Sequence, residues 1–220
     1  CMDIIKDAKP DAILFSDFGI LSLIKRYMPD VDIHISTQTN ILNYECVKFW
    51  QDMGASRVVL ARELSIPEIA EIKKQVPNME VECFIHGSQC VSFSGRCLLS
   101  DYFTNGERKA NSGNCSQPCR WSYKLVEETR PGQYYEINQD ERGSHILSPK
   151  DLCLVKHLKE MIDAGVDSFK VEGRTKSLYY VSAVAKTYRA AIDEIMANPD
   201  ADMEKYFLEL KKVGNRGYTT

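Results

Sequence analysis

The chain has 220 residues, 44% hydrophobic and 27% charged, with a formal net charge of −3. That length and apolar content support a substantial buried core, in one large domain or two small ones. No run approaches the roughly 18 apolar residues of a membrane-spanning helix, and the mildly acidic balance supplies no global basic field for nucleic acid, so any RNA contact must be local or shape-based.

The chain opens on CMDII, directly in a helix-then-strand pattern, and stops in the glycine-bearing GNRGYTT. Both ends read as cuts, so a longer parent protein is expected. Apolar runs predict strands at 12–16 (AILFS), 32–37 (DIHIST), 57–62 (RVVLAR), 81–86 (VECFIH) and 168–172 (SFKVE), with a weaker one at 145–147. Helical segments lie between them, such as NYECVKFWQDMG and the Pro67-led PEIAEIKKQV. This alternation argues for βαβ units and a parallel sheet. Residues 90–145 break the rhythm, being rich in Gly, Asn, Ser and Cys, with YKLVEE as the only strand-like run. The expected organisation is βα units over 1–89, a Cys-rich insertion over 90–147, and the last strand and helices over 148–220.

Read at period two, the strands carry one apolar face and one that turns polar toward the C-terminal end. Val81, Cys83 and Ile85 oppose Glu82, Phe84 and His86; Phe169 and Val171 oppose Lys170, Glu172 and, continuing, Arg174; Ile33 and Ile35 oppose His34, Ser36 and Gln38. Asp17 and Arg62 sit at the same place on their strands. Such a pattern fits a partial (β/α)8 barrel with chemistry at its mouth; the alternative is an open sheet with one solvated face.

Eight cysteines sharpen the question of function. Cys83 alternates with core residues, Cys46 sits in a helical stretch, and Cys1 lies at the break. The remainder run Cys90-x6-Cys97-x17-Cys115-x3-Cys119-x33-Cys153. Disulfides suit small secreted domains better than a core-rich chain of intracellular-enzyme, cytoplasmic character. Structural zinc favours paired C-x2–4-C knuckles, of which only Cys115/Cys119 qualifies. A lone nucleophile would leave the others unexplained, whereas an iron–sulfur cluster takes four thiolates at irregular spacing. The spacing favours a metal or cluster without choosing between them. In SPKDLC, Ser148, Pro149 and Asp151 approximate a helix start, which would put Cys153 near the positive end of a helix dipole that favours thiolate.

ECFIHGSQCVSFSGRCLLS, over 82–100, resembles the signature of the collagenase-like peptidase family, with Glu82, Phe84, Gly87, Ser88, Cys90, Gly95, Cys97, Leu99 and Ser100 matching and Gln89 departing from an aliphatic position. STQTN, VVLARELS, GNCSQPCRW, SPKDLC and FKVEGRTKSLYYV extend the resemblance along nearly the whole chain. The family name implies proteolysis of peptide substrates. Its better-understood members instead carry a [4Fe–4S] cluster and support oxygen-independent hydroxylation of tRNA wobble uridine, of a ribosomal RNA cytidine or of ubiquinone precursors. The tRNA branch is associated with prephenate, a small carboxylic acid. Carried onto this sequence, the resemblance implies an eight-stranded barrel whose last five strands are present. It implies cluster ligands at Cys90, Cys97, Cys115 and Cys153, with Cys119 as a possible substitute. A non-catalytic cluster-bearing subunit is a third reading.

Other residues carry chemistry by type and position. His86 and Glu82 are candidates for acid–base work on one strand face. Lys170, Glu172 and Arg174 suit an anionic substrate, as do Arg62 and Gln38. The GERKA loop (106–110), with Arg120, Trp121 and Tyr123, mixes cations and aromatics as nucleic-acid surfaces do. The competing readings are a hydrogen-bonded histidine for His86, ion pairing within the fold for the charged strand residues, and ordinary surface composition for the loop. No Ser-His-Asp arrangement, H-E-x-x-H motif or phosphate loop occurs.

Overall fold

In a computed structural model of the chain, described over residues 2–121, 138–140, 143–145 and 149–219, strands and helices alternate as the apolar periodicity dictates. In order they are α1 (Met2–Ala8), β1 (Ala12–Phe15), α2 (Phe18–Tyr27), β2 (Asp32–Ile35), α3 (Tyr44–Asp52), β3 (Arg57–Val59), α4 (Ile66–Gln75), β4 (Glu80–Ser88), α5 (Leu99–Phe103), β5 (Asn138–Asp140), β6 (Gly143–His145), β7 (Asp151–Cys153), α6 (Leu158–Asp163), β8 (Ser168–Val171), α7 (Leu178–Ala197), α8 (Glu204–Leu210) and β9 (Tyr218–Thr219). The chain divides into two units, 1–88 with 151–220, and 89–150.

The first unit is a mixed α/β fold around one mostly parallel sheet. Strands β1, β2, β3, β4 and β8 are successive parallel neighbours, β7 runs antiparallel to the end of β4, and β9 pairs parallel with β7. Local chemistry starts the helices. Asp17 caps α2 by accepting from the Gly19 N–H at 2.7 Å, and Asn43 caps α3 through the Cys46 N–H at 3.0 Å. At α4 the Glu68 carboxylate takes both the N–H and the hydroxyl of Ser65, at 2.8 and 2.6 Å, which holds its pKa below the ordinary range. Ser177 accepts from the Tyr180 N–H to open α7, whose buried Tyr180, Val184, Thr187, Tyr188, Ala191 and Ile195 recur at helical spacing. Ile33, Ile35, Val58, Val81, Cys83 and Ile85 meet this covering layer and form the core.

The sequence overestimates most strands at their C-terminal ends and underestimates β4, which runs nine residues. A larger correction concerns 148–153. Asp151–Cys153 is not the first turn of a helix but strand β7, with Ser88, Gly87 and His86 opposite Asp151, Leu152 and Cys153. The helix begins only after a 3-10 turn at Val155–His157. The edge of β4 overrides the local capping signal, because pairing there satisfies backbone groups that would otherwise be unpaired.

In the second unit, α5, the β5–β6 hairpin and 3-10 turns at Phe93–Gly95, Ala110–Ser112 and Pro118–Arg120 are described. The buried Ser100 organises the loops: its hydroxyl donates to Arg108 O at 2.7 Å and accepts from the Ser116 N–H at 2.8 Å. The predicted strand YKLVEE, with Tyr123, and residues 146–147 of the weak strand lie outside the described residues; His145 falls in β6.

Candidate functional site

Two groups of polar side chains gather on the central strands of the first unit. On β4, Glu82 accepts from Lys170 Nζ at 2.7 Å and from the Ser168 hydroxyl at 3.0 Å, both donors coming from β8, with Arg57 Nη1 of β3 at 3.4 Å. Burial by itself would raise the Glu82 pKa, but the Lys170 ammonium, Ser168 and Arg57 together hold it below the usual carboxylate value. Arg62 places its guanidinium 3.9 Å from the centre of the Phe84 ring, and Lys170 lies 5.6 Å from the same centre. His34 shares the Arg57 and Glu82 field, and burial followed by Arg57 lowers its pKa. The face thus presents several half-buried cations around one buried carboxylate.

His86 is not part of that group. A register shift between Phe84 and His86 interrupts the β4–β8 alternation. The imidazole, 1% exposed, packs 5.4–5.9 Å from the rings of Tyr180, Tyr188 and Tyr218. Glu82 and His86 therefore do not work from one face, contrary to the period-two reading. Tyr188 donates its only hydroxyl proton to Ile85 O at 2.9 Å, so the 3.3 Å contact with His86 Nδ1 requires an Nδ1–H donor. That leaves Nε2 with a free lone pair. Burial outweighs Asp151 and lowers the His86 pKa to about 4, so the ring is neutral at pH 7.

Around it lies a buried polar set that sequence reasoning passed over. Asp151 is fully buried and is held through Oδ1 by Arg216, whose Nε donates at 2.9 Å; Lys176 Nζ stands 3.7 Å from Oδ2. Lys176 also sits 4.8 Å over the Tyr180 ring. Asp151 was visible only inside SPKDLC, and Lys176 and Tyr180 only inside the FKVEGRTKSLYYV match. His86 Nε2, Ser88 Oγ, Asp151 Oδ2, Glu172 Oε2 and the Tyr180 hydroxyl are all buried without a hydrogen-bond partner. Such atoms call for ordered water or a polar ligand. Glu172 donates its N–H to His86 O at 2.9 Å and accepts the Arg174 N–H through Oε1 at 3.0 Å, while Arg174 itself is exposed. Gln38 lies in the 3-10 turn Thr37–Thr39, its N–H on Ser36 Oγ.

The cysteines divide between the two units. In the second, the Leu99 N–H points to Cys97 Sγ at 3.4 Å and the Gln117 N–H to Cys115 Sγ at 3.2 Å, while Cys90 Sγ lies 3.0 Å from Ser92 Oγ. Backbone donors two residues after a sulfur stabilise thiolate ligands, so this donor set fits an iron–sulfur cluster or a soft metal. Cys119 is half-buried in the same unit. Cys153 belongs to the first unit. It is fully buried on β7 with Tyr188 OH 3.7 Å from its sulfur, and burial raises its pKa, so no helix dipole activates it. Ligation would deprotonate it. Among the described residues, no three His, Cys, Asp or Glu side chains converge as metal ligands.

The fold and these groups define a class: an α/β protein with a mostly parallel sheet and a cysteine-rich excursion after β4. The profile of Peptidase family U32 matches residues 1–220, and the chain belongs to that family. It is 39% identical over 97% of its length to the tRNA hydroxylation protein P of Haemophilus influenzae, covering 55% of that protein. It is 41% identical over 97% of its length to tRNA hydroxylation protein P1 of Bacillus subtilis, covering 50% of it. It is also 41% identical, over its entire length, to an uncharacterized protease of Methanocaldococcus jannaschii, covering 53% of it. The chain spans about half the length of these curated relatives.

The neutral, buried His86 has a consequence for pH. Its folded pKa, about 4, lies below the ordinary histidine value of 6.5, so the unfolded chain binds the extra proton. Stability from this group is present above pH 6.5 and is lost as pH falls toward 4, by on the order of 3 kcal/mol. Urea unfolding at pH 7.5 and 4.5 should show the loss, and His86→Gln should flatten it. An unchanged slope in that variant would contradict the burial argument.

Proposed function

We propose that this chain is the part of an RNA-hydroxylating protein that carries its cluster thiols, acting on tRNA wobble uridine. The observation that carries this reading is the 39–41% identity, over 97% of the chain, to two proteins named for tRNA hydroxylation. In this reading the parallel strands form part of a (β/α)8 barrel, and their side-by-side sequential order supports it. Cys90, Cys97 and Cys115 would hold a [4Fe–4S] group, with Cys153 or Cys119 as the fourth thiolate. When bound, such a group supplies one-electron chemistry. The chain's own residues supply the polar surroundings. Arg57, Arg62 and Lys170 offer cations to a small carboxylic acid of the prephenate kind, with Arg174 and Gln38 as further contacts. The His86 lone pair is an acceptor whose tautomer Tyr188 fixes.

A second reading, peptide hydrolysis, is favoured by the names of the family and of the archaeal relative. The local chemistry argues against a cysteine–histidine pair. Cys153 and His86 are cross-strand neighbours, yet the Tyr188 hydroxyl contacts both, and the cysteine is shifted away from the thiolate.

Deleting the gene and profiling tRNA nucleosides by mass spectrometry tests the proposal. Hydroxylated wobble uridine should disappear, return with the wild-type protein, and stay absent with Cys97→Ala, whose anaerobically purified protein should have lost iron and sulfide. Hydroxylation that persists in the deletion would overturn the function. Peptide cleavage that survives Cys90→Ala would favour the peptidase.

A further inference from the structure

Within the second unit, large apolar side chains stand unusually exposed. Phe93 is 51% exposed, Leu98 73%, Tyr102 76%, Phe103 43% and Trp121 40%. Three of them form a continuous aromatic run, with ring centroids 5.3 Å apart for Tyr102–Phe103 and 5.6 Å for Phe103–Trp121. Single exposed apolar residues need no explanation, but a linked run in a thirty-residue loop region does. The run rests on a fixed base. Tyr102 and Phe103 lie on α5, which Ser100 ties to Arg108 and Ser116, and the Thr104 hydroxyl bonds Ser100 O at 2.6 Å.

Charge distinguishes this surface from the rest of the chain. Residues 89–121 hold four cations, Arg96, Arg108, Lys109 and Arg120, against two carboxylates, Asp101 and Glu107, whereas the chain as a whole is −3. The Arg108 side chain is itself pinned, its Nη2 donating to Cys115 O at 2.9 Å. Arg120 donates to Gln117 Oε1 at 2.6 Å and keeps its Nε–H unpartnered. An apolar protein partner would not call for a locally basic segment. Unstacked bases need both features, aromatic faces for the bases and cations for the phosphates.

We propose that the Tyr102–Phe103–Trp121 run is a stacking platform for a single-stranded RNA loop, with Arg96, Arg108 and Lys109 beside its backbone. This rests on the RNA-modifying reading and adds to it the surface that takes the substrate. Duplex RNA, whose bases are already stacked, gains nothing from the rings. Tyr102 is the most exposed ring and the first to meet a base.

The test uses the full-length protein and fluorescence anisotropy, with a single-stranded uridine-rich RNA oligomer, a blunt RNA duplex of equal length and a collagen-like peptide as probes. Tyr102→Ala should weaken the single strand by about 5- to 150-fold, the effect of losing one stacked base. Tyr102→Phe, which keeps the ring, should bind as wild type, and duplex affinity should not change with either variant. Single-strand binding that is unchanged in Tyr102→Ala, or a loss shared by Tyr102→Phe, overturns the platform. So does a loss confined to the peptide, which would make the surface a protein-docking site. The nucleoside profile of the deletion strain separates this proposal from the function it rests on. Hydroxylation that requires the gene, with RNA binding indifferent to Tyr102, defeats the platform alone. Ring-dependent binding in a protein whose deletion leaves hydroxylation intact defeats the function alone.

Discussion

Gly87→Ala should destabilise the protein by about 2–6 kcal/mol, the sum of left-handed backbone strain in a residue with a Cβ and a steric clash in a packed interior. Gly87 lies in β4 at φ +113°, and a Cβ there would stand 2.4 Å from Glu172 O and 2.9 Å from Glu172 Cβ. Neither contact can yield easily. The Glu172 N–H is bonded to His86 O at 2.9 Å, which locks the end of β8 against β4 at that point. The close approach also sets where Glu172 turns, and so where its buried carboxylate oxygen lies. Gly54→Ala is the matched control, because Gly54 also has positive φ, +86°, but nothing lies within 4 Å of its added Cβ. Urea unfolding of both variants gives the comparison. Equal losses would mean that the β4–Glu172 approach is looser than described.

This glycine shows what a single sequence reveals and what it hides. Gly87 stood out only as a position in a motif; nothing local announced that a carbonyl from a segment 85 residues later fills the space of its missing side chain. The pairing of Glu82 with Lys170 was half legible. Period two put both on polar strand faces, and parallel neighbours then brought them into register, with Glu82 opposite Ser168 and Phe84 opposite Lys170. His86 was misplaced by the same rule, because one irregular step in β4 redirects every residue after it. Cys153 failed differently. Ser148, Pro149 and Asp151 carry real helix-start chemistry, but local preference is weak beside an unpaired strand edge, and β4 supplied one. The tyrosines around His86 come from α7 and β9, at sequence distances that no local pattern connects. Alternating strands and the helices between them were therefore readable, and groups assembled by tertiary contact were not.

The buried Asp151, paired with Arg216 and Lys176, predicts a second large effect. Asp151→Ala should lower stability by about 3–5 kcal/mol, because it breaks a charge pairing built on a fully buried carboxylate. Asp151 is 0% exposed, and its partners Arg216 and Lys176 are each about one-fifth exposed, at 21% and 19%. Arg216 comes from the segment just before β9, and the Asp151 N–H is bonded to Gly217 O at 2.9 Å, so backbone and side chain clamp the same pair of strands. Lys176 comes from the loop before α7. One carboxylate thus ties β7, β9 and the start of α7 together. The penalty should come mainly from the loss of the buried carboxylate's charge pairing, not from lost packing, since Ala removes few apolar contacts. That origin can be isolated. The double variant Asp151→Leu/Arg216→Met replaces the charged pair by apolar groups of similar size and should recover much of the loss, with the weaker Lys176 contact left unbalanced. Urea unfolding of the single and double variants decides the matter. If the double variant is as unstable as Asp151→Ala, the stability resides in the shape and hydrogen bonds of the carboxylate and not in its charge.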